Sequence, residues 1–143
     1  WKVGGNTFDN IAGEPAKTAY QNEIVSPVTT NTTDNATTYS AKVGLMYASD
    51  YGFAAAPSAW AANLNAYDGE AIKNVNWMYM GLYEWTISRN ADNAYYAFSV
   101  LNTGSVNNRY AYDALAVRPV FYLTSSVNYA SGSGSATDPI SIN

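Results

Sequence analysis

Between Trp77 and Leu123 polar turns cut the chain into five short aromatic and β-branched segments, at 77–80, 82–88, 95–101, 105–112 and 115–123. Segments of that length and spacing are strands, so this half must build a small sheet. Trp85 and Ile87 alternate with Thr86 and Ser88, and Tyr96, Phe98 and Val100 alternate with Tyr95, Ala97 and Ser99. Each strand is expected to bury one face and expose the other. Asn102-Thr-Gly-Ser105 reads as a hairpin connection in which Gly104 takes positive φ.

The first half reads differently. Glu14 to Val25 carries Pro15 at a first helical turn and Ala16, Ala19, Tyr20 and Ile24 along one side, which predicts an amphipathic helix. Residues 26–40 are nearly all Thr, Asn, Ser, Asp and Pro and predict a surface loop. The triplets beginning at Asn31 and Asn35 in that loop match the glycosylation pattern, a frequent coincidence in Asn/Thr-rich sequence. Lys42 to Tyr47 predicts a buried strand, Ser49-Asp50 a helix N-cap, and Pro57 the end of that helix. Trp60, Leu64 and Tyr67 suit a second short helix, closed by the Asp68-Gly69 turn. Ser131-Gly-Ser-Gly-Ser135 reads as a flexible or extended run, and 138–142 as a last edge strand or the start of a linker. Helices first and an antiparallel meander afterwards imply an α+β architecture, with two short helices in the N-terminal half and a small antiparallel sheet in the C-terminal half.

A chain of 143 residues, 48% apolar and 13% charged, is one domain's worth of material with a real core, spanning 1–143. It has no Cys and no His, which removes thiol chemistry, Ser-His-Asp relays and zinc or haem ligation through those groups. Seven basic residues are scattered among eleven acidic ones, so no concentrated basic face is expected and nucleic acid is a poor partner. No glycine-rich phosphate cradle is present. The chain begins at Trp1 and holds no run of 18 apolar residues. It is expected to be a piece of something longer, touching a membrane only through an anchor outside itself. Low charge with abundant Asn, Ser, Thr and 13 Tyr is a composition of exported bacterial surface proteins.

Chemistry would have to come from carboxylates, Lys, Tyr and Ser. Tyr83-Glu84-Trp85, with Arg89, Asp92 and Asp113 further on, is the best local cluster for a carboxylate pair of the glycosidase kind. Glu84 beside a strand Trp is more often the ion-pair partner of an Arg. No cofactor is expected. A structural Ca²⁺ held by Asp9, Asp34, Asp50, Asp68 or Asp138 is the one metal alternative, since each sits near a turn, but none has the spacing of a dedicated calcium loop. The segments 90–96 and 107–113 are the most suggestive. They gather Tyr, Asn, Asp and Arg, the side chains recognition surfaces favour, because Tyr gives large rigid contact area and Asn adaptable hydrogen bonds. The plainer reading is of polar strand ends on a Tyr-rich sheet.

Several blocks in order carry a resemblance: Lys42 to Ala54 with its Gly-Leu-Met-Tyr and Ser-Asp-Tyr-Gly, Asn76-Trp-Met-Tyr79, Glu84-Trp-Thr-Ile-Ser-Arg89, and Ala116-Val-Arg-Pro-Val-Phe-Tyr-Leu123. The chain resembles a family of surface domains of gut Firmicutes, found behind pilin-like or other anchoring helices and similar to the C-type-lectin and formylglycine-generating-enzyme fold. That enzyme's cysteines and the lectins' calcium motifs are missing here. What the resemblance implies is a ligand-display scaffold like the variable proteins of diversity-generating retroelements. The matching display positions are Asn90, Asp92, Asn93, Tyr95, Asn107, Asn108, Arg109, Tyr110 and Tyr112. Under it Trp77, Trp85, Phe98, Val100, Val117, Val120 and Leu123 would fill the core, and Arg118 would pair with Glu84.

Three functions follow, in order. The first is a non-enzymatic, extracellular ligand-binding or adhesion domain at a bacterial cell surface, with a surface protein or glycan as ligand. The second is the structural head of a pilin-like or filament subunit, which would self-associate. The third is a carbohydrate-active enzyme using Glu84 with Asp92 or Asp113.

Overall fold

The computed structural model describes residues 1–6, 11–27, 38–135 and 137–143. The triplets at Asn31 and Asn35, most of the Asn/Thr loop, Asp9 and Asp34 lie outside the described residues.

Three short helices are described: α1 (Ala16–Tyr20), α2 (Ala48–Phe53) and α3 (Glu70–Lys73). Eight strands accompany them: β1 (Gly5–Asn6), β2 (Gly44–Leu45), β3 (Glu84–Asn90), β4 (Tyr96–Val100), β5 (Val106–Tyr110), β6 (Pro119–Val120), β7 (Tyr129–Ser131) and β8 (Ser141–Ile142). The main sheet has the order β1-β3-β4-β5, antiparallel except for β1, which runs parallel to β3. The pairs β2-β6 and β7-β8 form two further antiparallel ribbons. The α+β class expected from the sequence is the one observed.

Pro15 opens α1 as its cap residue. Lacking an N–H of its own, it accepts with its carbonyl from Thr18 N and Ala19 N at 2.9 and 3.1 Å. The helix runs on into a π-helical turn over Gln21–Val25. Its buried side is Ala16, Ala19 and Glu23, while Tyr20 is exposed and Ile24 half-buried. The apolar stripe expected through Tyr20 and Ile24 is corrected here, because the inward position belongs to a carboxylate with partners of its own.

Helix α2 begins at Ala48, and Asp50 reaches back to accept from Tyr47 N at 2.9 Å. The capping carboxylate was legible, but it acts from inside the first turn. Gly52 lets α1 and α2 touch: a Cβ there would stand 2.5 Å from Ala16 Cβ and 2.7 Å from Leu64 Cδ2. The second helix expected through Trp60, Leu64 and Tyr67 is instead two 3₁₀ turns, Pro57–Ala59 and Leu64–Ala66, and α3 follows the Gly69 turn.

The core joins these helices to the inner side of β4 and β5. Phe98, Val100 and Val106 meet Met46, Leu64 and two fully buried tyrosines. Burying a phenol requires a partner for its hydroxyl. Tyr51 donates to Gly104 O at 2.8 Å and Tyr67 to Gly52 O at 3.0 Å, so α2 is tied to the β4–β5 hairpin. Gly104 sits at φ +102°, as the hairpin reading required.

Three sequence expectations are corrected. In β3 the alternation is present with its phase reversed: Glu84, Thr86, Ser88 and Asn90 are buried, and Trp85, Ile87 and Arg89 are half-buried. Each buried polar group has an internal partner. Thr86 Oγ1 donates to Phe98 O at 2.8 Å, and Ser88 Oγ donates to Glu23 Oε1 at 2.5 Å while accepting from Ala48 N at 2.9 Å. Of the residues expected in the core, Phe98 and Val100 are buried, Trp85 and Val120 are half-buried, and Trp77, Val117 and Leu123 are exposed. Trp77 falls in a turn, and beyond Val117 only Pro119–Val120 is held by pairing to β2. Finally, the Ser131–Ser135 run ends β7 at Ser131 and then folds into a turn instead of running on extended. Ser133 N and Gly134 N both donate to Asp138 O, turning β7 back to β8.

Candidate functional site

The nine display positions run from the end of β3 through the β3–β4 turn, and along β5, an edge strand of the main sheet, into the turn after it. Two of them build the turn. Asn90, buried, accepts with Oδ1 from Asp92 N at 2.9 Å and Asn93 N at 3.2 Å. Asn93 Oδ1 in turn accepts from Tyr95 N at 2.9 Å. These side chains hold the backbone, as Asn does in turns, and what they present outward is Tyr95, 72% exposed.

Tyr95 O accepts from Ala111 N at 2.8 Å, which brings the end of β5 beside the turn. Register Tyr96↔Tyr110 then sets two rings across from each other, with centroids 4.5 Å apart. Tyr112 stacks on Tyr110 at 4.9 Å with an interplanar angle of 11°. The result is a ladder of three rings, Tyr96, Tyr110 and Tyr112, whose outermost member is 77% exposed. Contact of the phenols raises the Tyr96 hydroxyl's pKa, through its hydrogen bond with Tyr110 before any effect of burial. Ring stacking removes conformational freedom in advance, which lowers the entropic cost of contact with a ligand.

On the other face of β5, Arg109 lies over the Tyr83 ring, 4.8 Å from its centroid. A shallow hollow of about 310 Å³ beside it is lined by Tyr83, Arg109, Asp113, Ala114 and Leu115. Asn107 and Asn108 point to opposite faces of the strand and are half-buried. Asn107 O accepts from Ser99 Oγ at 3.3 Å, and Asn108 stands opposite Phe98. The structure thus gathers Tyr110 and Tyr112, with Tyr96, into one surface, leaves Tyr95 exposed at the adjoining turn, puts Arg109 on the far side, and uses Asn90 and Asn93 as scaffold. Tyr96 and Tyr83, the rings that extend the two surfaces, were not among the nine display positions. Their signal was the cross-strand register, which needs the hairpin length as well as the sequence.

Glu84 is 3% exposed, and Arg118 holds both its oxygens: Nε to Oε1 at 3.1 Å and Nη2 to Oε2 at 2.6 Å. The guanidinium also donates to Met78 O at 2.7 Å. This is the fork geometry of a bidentate pair, and it is the pairing the sequence suggested. Among the described residues no group of three or more Asp or Glu gathers as a metal would need, and no helix is long and apolar enough to cross a membrane. Asp138 serves its turn, accepting from Ser133 N at 2.8 Å.

Compared with family models, with curated proteins and with solved structures, the chain finds no match.

Proposed function

We propose that this chain is a non-enzymatic ligand-binding or adhesion domain, working outside the cell at a bacterial surface, with the tyrosine ladder at the end of β5 as its contact surface. The observation that carries the reading is the ladder itself. Tyr112 stacked on Tyr110, with Tyr96 tilted against Tyr110, forms a rigid amphipathic platform at a sheet edge, and Tyr95 stands exposed at the adjoining turn. Tyr is favoured at such contact surfaces because it buries much area for little lost freedom. The proposal includes the C-type-lectin-like form of the α+β fold and the likeness to retroelement-diversified variable proteins. It is supported by the order of elements, helices first and then a meander whose turn and last strand carry the display positions. The ligand is a surface protein or glycan. The Arg118 clamp on Glu84 speaks against the enzymatic alternative, since it occupies the carboxylate a glycosidase pair would use.

The test is binding of the purified domain to a glycan and surface-protein array, beside the double variant Tyr110→Ala, Tyr112→Ala. Loss of binding in the variant, by about 2 kcal/mol or more per anchoring ring, supports the ladder. A chain that binds nothing and self-associates would sink it in favour of the filament-subunit reading. One observation favours that second reading: Phe121, Tyr122 and Leu123 are consecutive and 66, 65 and 53% exposed.

A further inference from the structure

A second recess in the surface shares no residue with the ladder. It is a cleft of about 310 Å³ beside α2, lined by Met46, Asp50, Phe53, Trp77, Met78 and Tyr122, together with Ala54 and Val120. Its walls are aromatic and held in place. Phe53 packs edge-on against Trp60 at 5.4 Å, and Tyr122 lies on Trp1 at 5.0 Å. Trp77 is set by its neighbour: buried Asn76 donates to Tyr51 O at 2.9 Å and accepts from Met78 N at 3.0 Å. That bracket turns Asn76 and Met78 inward and leaves the indole between them 79% exposed. An indole so uncovered, in a turn so firmly made, has no role in the core.

Asp50 is the one charged side chain lining the cleft. Its Oδ2 accepts from Tyr47 N at 2.9 Å. Among the described residues no Lys or Arg pairs with it, the two ion pairs being Lys73–Glu70 and Arg118–Glu84. Burial pushes its carboxyl pKa upward, against the opposing hydrogen bond from Tyr47. Its charge also reaches the opposite wall: the Tyr122 hydroxyl is pushed up to about 12, by burial first and by Asp50 next. A half-buried anion without a counter-ion, walled by ring faces, is complementary to a cation with an apolar stem.

We propose that this cleft binds an alkylammonium group, the lysine side chain of a partner protein, with Asp50 as counter-ion and Phe53, Trp77 and Tyr122 as the wall around the stem. The volume suits one such side chain and not a folded segment. The net charge of −4 works in the same direction by attracting basic partners. The inference is independent of the ladder, and either site can fail alone.

The experiment titrates the 143-residue chain with Nα-acetyl-lysine methylamide, following the Trp77 indole N–H by NMR. Choline and the neutral Nα-acetyl-norleucine methylamide serve as comparison probes. The expected result is a saturable shift at Trp77 that weakens roughly tenfold for the norleucine probe, and by a similar factor in Asp50→Asn and in Trp77→Ala. For Trp77→Ala, which removes the reporting indole, the shift is read at the backbone N–H of Met78. The Asp50→Asn side chain keeps an acceptor for Tyr47 N–H, and Trp77→Ala alters an exposed side chain, so one of the two variants will fold. The Tyr110→Ala, Tyr112→Ala variant should bind the lysine probe unchanged. Equal affinity for norleucine, tighter binding of choline, or no saturable shift each overturns the assignment.

Discussion

Strands β3 and β4 lie side by side and fill the interior in different ways: β3 alternates strictly in burial, whereas β4 buries the whole run Phe98-Ser99-Val100. β4 turns Phe98 and Val100 inward, whereas β3 turns Glu84, Thr86, Ser88 and Asn90 inward and leaves Trp85 and Ile87 half-covered. In β4 the stabilising quantity is apolar area removed from water. In β3 it is the completeness of the hydrogen bonding, because each buried polar group would cost about one or more kcal/mol if its partner were absent. The contrast shows that period alone fixes which residues share a face. Which face turns inward depends on partners that lie elsewhere in the chain, here at residues 23, 48, 98 and 118.

The comparison breaks most visibly at its apolar pole. Phe98→Ala should cost about 3–5 kcal/mol, from lost transfer energy and the cavity left under the helices, measured by urea unfolding. At the polar pole, Arg118→Ala strands a buried carboxylate and should cost about 2–4 kcal/mol, reduced from the fully buried case because the guanidinium is 22% exposed. Adding Glu84→Gln to that variant should recover part of the loss. A double variant no better than Arg118→Ala would mean that the pair acts through packing rather than charge.

The smallest effect has the opposite sign. Burial pushes the Glu23 carboxyl from 4.5 to about 7, despite hydrogen bonds from Ser49 and Ser88 that pull it down. A folded state that holds its proton more tightly than the unfolded chain is most stable at low pH. The Glu23 contribution is therefore complete below about pH 4.5, declines as pH rises to about 7, and is lost above. Glu23→Gln should flatten the stability profile through that window and raise stability at pH 8 by about 1–3 kcal/mol. Thermal melts at about pH 4 and pH 8 check both statements, and a variant less stable than the parent at the higher pH would show that the carboxylate is worth more than its burial costs.

Much of the sheet was legible because its signals are local. Gly104 announces the β4–β5 hairpin, the polar turn at 90–95 announces the link before it, and alternation groups the β3 residues by face without saying which face turns inward. The Glu84–Arg118 pair came from the resemblance, while the residues alone suggested only that Glu84 would meet some arginine. What could not be read depends on contacts over long separations. The inward turn of Glu23 depends on Ser88, sixty-five residues away. Trp77 looked like core until Asn76 placed it outside, and the cleft needs 46–54, 77–78 and 120–122 to converge. Within the candidate ladder, Tyr110 and Tyr112 came from composition and resemblance, but Tyr96 needed the register.

The parallel pairing of Gly5–Asn6 with Arg89–Asn90 bears on the order in which the molecule assembles. The meander β3-β4-β5 closes loops of a few residues, whereas seating β1 requires chain segments more than eighty residues apart to meet. Loop closure of that length carries a larger entropic cost, so the meander can form early and the N-terminal strand docks late. The same segment is then the first to detach. Amide hydrogens of residues 5 and 6 should exchange with solvent well before those of β4, through an opening that leaves the rest of the sheet closed.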